Sequence, residues 1–68
     1  MFLSDRSTRA RALETWRDAA RLVSTRWELF REANTESRSW AFASYVAALD
    51  AEEAAAADMA GLLSRQAA

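Results

Sequence analysis

Apolar residues recur at alternating steps of three and four between residues 13 and 30. Because an α-helix completes one turn in 3.6 residues, side chains spaced in this way lie along one face of a helix. The pattern therefore predicts a first helix over about residues 5–33. Its predicted packing face consists of Leu13, Trp16, Ala20, Val23, Trp27 and Phe30.

A second helical pattern follows a short polar break at residues 33–37 and predicts a helix over about residues 36–63. Within the break, Asn34 can adopt the left-handed conformation that ends a helix, and Thr35 can cap the next one. A connection this short places the two helices side by side, so the predicted fold is all-α, a single antiparallel two-helix hairpin over residues 1–68. The predicted packing face of the second helix consists of Phe42, Tyr45, Leu49, Ala56, Met59 and Leu63.

The apolar arc of the first helix is wider than one neighbouring helix can cover. Leu22 and Leu29 lie about 100° around the helix from Val23 and Phe30, so they stay on its flank. This predicts that two hairpins associate as a homodimer with the form of a four-helix bundle. The predicted self-association interface comprises Leu13, Trp16, Leu22, Val23, Trp27, Leu29, Phe30, Phe42, Tyr45, Leu49, Met59 and Leu63.

Two adjacent carboxylates, Glu52 and Glu53, interrupt the apolar pattern of the second helix. Neighbouring residues of a helix point about 100° apart, so the two groups do not converge on one ion. We interpret Glu53 as the partner of Arg17 in an ion pair between the helices. A further alternative is a site for a hard cation such as Mg²⁺ or Mn²⁺, formed by carboxylates of two chains at a dimer axis.

The composition argues against most enzymatic chemistry. The chain has no His, Cys or Lys, so its serines have no side-chain base and no thiolate nucleophile exists. Gly61 is the only glycine, which excludes a glycine-rich phosphate loop within this sequence. The sequence therefore predicts no enzyme, no catalytic residue, no cofactor and no metal-binding residue.

The net charge is −1, which provides no general basic field for nucleic acid. Five arginines do gather near the start of the first helix, and a small nucleic-acid-associated regulator is the alternative function, but acidic residues are interleaved with them. We expect no specific nucleic-acid binding and no membrane span, because the longest uncharged run, residues 39–49, is shorter than the ~20 residues that a span needs. The five arginines are Arg6, Arg9, Arg11, Arg17 and Arg21.

These observations favour a small helical protein that works by protein–protein contact, either with itself or with another helical protein. Arginine and alanine in place of lysine and isoleucine are typical of a GC-rich bacterial genome, and the cytoplasm is the expected location. The pattern leaves open whether the second helix ends at Gly61 or runs through it.

Overall fold

The computed structural model describes the backbone of residues 2–67 and the side-chain surroundings of residues 6–64. This part of the chain forms two helices, α1 (Phe2–Glu32) and α2 (Arg38–Ala67), which pack against each other along their length. No strand occurs between residues 2 and 67. The predicted all-α helical hairpin is confirmed.

Both helices are longer than the sequence pattern indicated. Helix α1 begins three residues before the predicted start, and α2 continues four residues past the predicted end. Gly61 lies inside α2 with an ordinary negative φ, and a Cβ added there would meet nothing within 4 Å. One glycine costs a helix only about 1 kcal/mol relative to alanine, which the strong helix formers on either side of Gly61 offset.

The connection between the helices is built around the side chain of Asn34. Its Oδ1 accepts hydrogen bonds from the backbone N–H of Ser37 at 2.9 Å and from the Ser37 hydroxyl at 3.0 Å. These bonds close the turn at residues 35–37 that leads into α2, where the Ala41 N–H donates to the Ser37 carbonyl at 2.9 Å and fewer donors are left free at the helix start. The prediction that Asn34 takes a left-handed conformation was wrong, since no described residue has a positive φ. The side-chain oxygen that accepts at this connection belongs to Asn34 and not to Thr35, the predicted cap.

The face that α2 turns towards α1 also differs from the predicted one. Its most buried residues are Ala41, Ala48 and Ala55, with relative exposures of 3%, 4% and 7%. Together with the half-buried Leu62 they recur every seven residues and form what we call the inner stripe. The prediction was therefore right for Tyr45 and Met59, which are half-buried, and one residue too far along the chain, or about 100° around the helix, for Phe42, Leu49, Ala56 and Leu63.

The predicted packing face of α1 agrees better with the structure. Five of its six residues are half-buried, and only Trp27 is more exposed. Trp16 lies beside the small residues Ala56 and Ala60 of α2, a combination that lets two helix backbones approach closely, whereas near the loop Phe30 lies against the rings of Phe42 and Tyr45. The five half-buried residues are Leu13, Trp16, Ala20, Val23 and Phe30.

Candidate interaction surface

A second stripe of α2 lies directly beside the inner stripe and remains exposed. It consists of Phe42, Leu49, Ala56 and Leu63, again seven residues apart, and we call it the outer stripe. Phe42 retains 51% of its possible exposure and Leu63 retains 56%. The residues that the sequence pattern assigned to the packing face of α2 are thus mostly the ones left in contact with solvent.

Aromatic rings extend the outer stripe onto α1 at the loop end of the hairpin. The ring centroids of Trp27 and Tyr45 are 5.1 Å apart, and those of Phe30 and Phe42 are 5.5 Å apart. These separations lie within the favourable range for aromatic pairs. The guanidinium carbon of Arg38 lies 5.2 Å from the Phe30 centroid, within cation–π range. The outer stripe together with Trp27 and Tyr45 forms one side of the hairpin, which we call the aromatic face.

The other half of the aromatic face, towards the chain ends, contains two apolar grooves on either side of Leu63. Their volumes are about 250 and 240 Å³. Pockets that take small-molecule ligands usually measure about 300–1,000 Å³, so these grooves match single side chains better than a ligand. The first groove is lined by Trp16, Ala56, Met59, Ala60 and Leu63, and the second by Arg9, Ala10, Leu13, Met59, Leu62 and Leu63.

The opposite side of the hairpin is apolar only near the loop. There Leu29 and Trp40 border a shallow groove, and Trp40 keeps 66% of its possible exposure, while Leu22 is exposed further along α1. Towards the chain ends the same side becomes polar, with a groove of about 440 Å³. That groove is lined by Thr8, Arg11, Ala12, Thr15, Ala55, Ala57, Asp58, Gly61 and Leu62.

Two ion pairs lie on the surface of α1. Among the described residues, Arg21 pairs with Asp18, and Arg31 pairs with Glu28 at 3.3 Å. The predicted pair of Arg17 and Glu53 is not among these ion pairs, and both side chains are exposed. Their pairing stays a prediction.

Two alternative sites were considered from the sequence, a cation site at Glu52 and Glu53 and a nucleic-acid surface at the arginines of α1. Neither set of residues is concentrated on one surface of the described hairpin. Glu52 is half-buried and Glu53 is exposed, and no group of three or more His, Cys, Asp or Glu comes together in the described part of the chain. The arginines near the start of α1 are all exposed but divide between the two sides of the hairpin, since Arg9 borders a groove of the aromatic face and Arg11 the polar groove.

The structure separates residues that the sequence pattern had combined into one interface. Phe42, Leu49 and Leu63 lie on the aromatic face, whereas Leu22 and Leu29 lie on the opposite side. Two exposed apolar residues, Trp40 and Val46, were missing from the predicted interface because they fall outside the helical pattern used to find it. Size and apolar character alone would have identified both.

The hairpin exposes far more area than a compact chain of its mass. Its accessible surface is 5477 Å² for 7.6 kDa, whereas a typical monomer of this mass exposes about 4,300 Å². Its radius of gyration is 15.6 Å, compared with about 11 Å expected for a compact domain of this length. The difference arises because only one face of each helix is covered.

Comparisons with protein-family models, with curated proteins and with solved structures found no match to this chain. Over the described residues, neither helix has a segment both long enough and apolar enough to cross a membrane. The geometry of the hairpin is therefore the basis for a functional proposal.

Proposed function

We propose that this protein is a non-enzymatic helical protein that acts through protein–protein contact, and that its first partner is a second copy of itself. The observation that carries the proposal is the distribution of burial. In the described part of the chain the fully buried apolar residues are three alanines, while eight larger apolar side chains are exposed.

Such a hairpin has little to stabilise it as a monomer. A single core in a chain below about 70–80 residues rarely contributes more than 3–5 kcal/mol, and alanine contributes least among the common core residues. By contrast, covering a leucine removes apolar area that is worth about 1.5–3 kcal/mol per side chain. Association would therefore cover large apolar side chains that the hairpin by itself leaves exposed.

The area available is of the size that stable dimers use. A compact particle of twice the mass would expose about 7,100 Å², so two hairpins of 5477 Å² each would bury up to about 3,800 Å² between them. Obligate homodimers bury roughly 2,000–5,000 Å². A dimer in which four helices surround one core meets this requirement.

The test is the mass in solution together with the concentration dependence of unfolding. We expect light scattering at tens of micromolar to give twice 7.6 kDa or a higher multiple. We also expect the melting temperature to rise with protein concentration, because association stabilises the folded chain by mass action. A folded monomer whose melting temperature is independent of concentration would overturn the proposal.

A further inference from the structure

We infer that two copies bind through their aromatic faces in antiparallel orientation, with the loop end of each hairpin over the chain-end half of the other. This inference rests on the proposed self-association and adds to it the face and the orientation.

The aromatic face is the better candidate because apolar side chains continue along the whole of it, although Glu53 lies beside the outer stripe and Arg9 lines one of its grooves. The outer stripe continues from Phe42 near the loop to Leu63 near the chain ends. On the opposite side, the apolar residues Leu29 and Trp40 lie near the loop, and the other half carries Thr8, Arg11, Thr15 and Asp58. A second copy that covered the opposite side would have to desolvate charged groups, which costs free energy unless each finds a partner.

The orientation follows from the uneven thickness of the aromatic face. Its loop half carries the rings of Trp27, Phe42 and Tyr45, whereas its other half contains open grooves beside Leu63, one of them walled by Trp16 and floored by small residues at Ala56 and Ala60. Well-packed interfaces place large side chains opposite small ones. In an antiparallel pair, the rings of each copy lie over the grooves of the other at both ends, so the spacing between the copies is even.

A parallel pair would be less favourable in shape and in charge. Rings would meet rings at one end and hold the copies apart, which would leave the alanine-lined halves separated by a gap. The same arrangement would bring Arg38 of both copies to one end of the dimer. The antiparallel pair places the two Arg38 side chains near opposite ends of a hairpin 52 Å long, well beyond the screening length of about 8 Å at physiological salt.

The face is tested with paired charge substitutions. Phe42→Glu/Leu49→Glu places two carboxylates on the aromatic face, and the matched control Leu22→Glu/Leu29→Glu places two on the opposite side. We expect the first variant to weaken association by about a hundredfold or more, because charges would be buried without partners, and the control to keep the mass of the wild type. The reverse result would overturn the inference while leaving self-association intact.

The orientation is tested by disulfide cross-linking, for which the chain is suited because it contains no cysteine. We place the two-fold axis of the antiparallel pair beside Leu49, because Phe42 of each copy then lies over the groove that Ala56 lines in the other, both residues being seven from Leu49. Mixed and then oxidised, the single variants Phe42→Cys and Ala56→Cys should form a disulfide with each other, and Leu49→Cys should form one with itself.

The same experiment separates the two orientations and does not depend on the charge variants remaining folded. In a parallel pair, Phe42 and Ala56 would be about 21 Å apart along the helix axis, whereas a disulfide needs Cα atoms within about 7 Å. An assembled protein in which the mixture of Phe42→Cys and Ala56→Cys gives no mixed disulfide would overturn the antiparallel pair with its axis beside Leu49. A monomeric wild type would instead overturn the proposed function itself.

Discussion

The inner and outer stripes of α2 are neighbours of equal length and equal repeat, but the inner stripe is largely buried and the outer stripe is exposed to solvent. The inner stripe is three alanines and a leucine and lies against α1, while the outer stripe carries a phenylalanine and two leucines and stays exposed. In a single chain, burying the larger side chains would remove more apolar area from water. The hairpin instead places its small side chains against α1 and leaves the large ones exposed, where they are available for the proposed contact with a second copy.

The difference teaches that apolar character and burial in one chain are separate properties when a protein associates. In the proposed dimer, the residues with the most area to bury are the ones that the second copy would cover. Large exposed apolar patches are unusual on monomers and mark interaction sites. Four predictions follow from this comparison.

The largest expected effect is the overpacking of the inner stripe. Ala48→Leu adds three carbons where the helices are closest and should lower the free energy of unfolding by about 1–3 kcal/mol. Ala47→Leu, at an exposed neighbouring position, is the matched control and should change it by no more than about 0.5 kcal/mol. Urea unfolding at one protein concentration measures both. Equal effects would mean that α2 does not face α1 through its alanines.

The next effect concerns Asn34, whose side chain binds Ser37 just before α2. Asn34→Ala removes the acceptor of the Ser37 N–H and should lower the free energy of unfolding by about 1 kcal/mol. Thr35→Ala should have a much smaller effect, because the structure records no hydrogen bond from Thr35 to the start of α2. Thermal melts of the two variants compare the contributions of the two side chains to stability. A larger loss of stability for Thr35→Ala would indicate that Thr35 caps α2, as the sequence pattern predicted.

A substitution outside both stripes, at Gly61, should stabilise the protein instead of destabilising it. Gly61→Ala places a Cβ where nothing lies within 4 Å and should raise the free energy of unfolding by about 0.5–1 kcal/mol through helix propensity. Ala57→Gly, in the same groove, should lower it by a similar amount. A loss of stability for Gly61→Ala would show that this end of α2 is packed more closely than the open groove indicates.

The smallest effect is expected beside the outer stripe, at Glu53. Because Glu53 and Arg17 are both exposed, Glu53→Ala should change the free energy of unfolding by less than about 1 kcal/mol. A double-mutant cycle with Arg17→Ala measures any coupling between the two side chains. A loss of about 3–5 kcal/mol would indicate instead that the carboxylate is buried and paired.

The sequence by itself determined the helical class, the two-helix organisation and the position of the break. High helix propensity and the spacing of Leu13, Trp16, Val23 and Phe30 act locally, so they can be identified without knowledge of any neighbour. The packing face of α1 is recognisable for the same reason. Its large apolar residues form one clear stripe, and polar residues occupy most of the positions between them along the sequence.

Only the tertiary structure decided which stripe of α2 faces α1. Both stripes satisfy the same seven-residue period, and Tyr45 and Met59 lie between them, so periodicity cannot separate them. The choice depends on how closely the two backbones approach where Ala41, Ala48 and Ala55 face α1, and that is a property of the pair of helices. The alanine stripe allows the closer packing, and for that reason the bulkier stripe is the one left exposed.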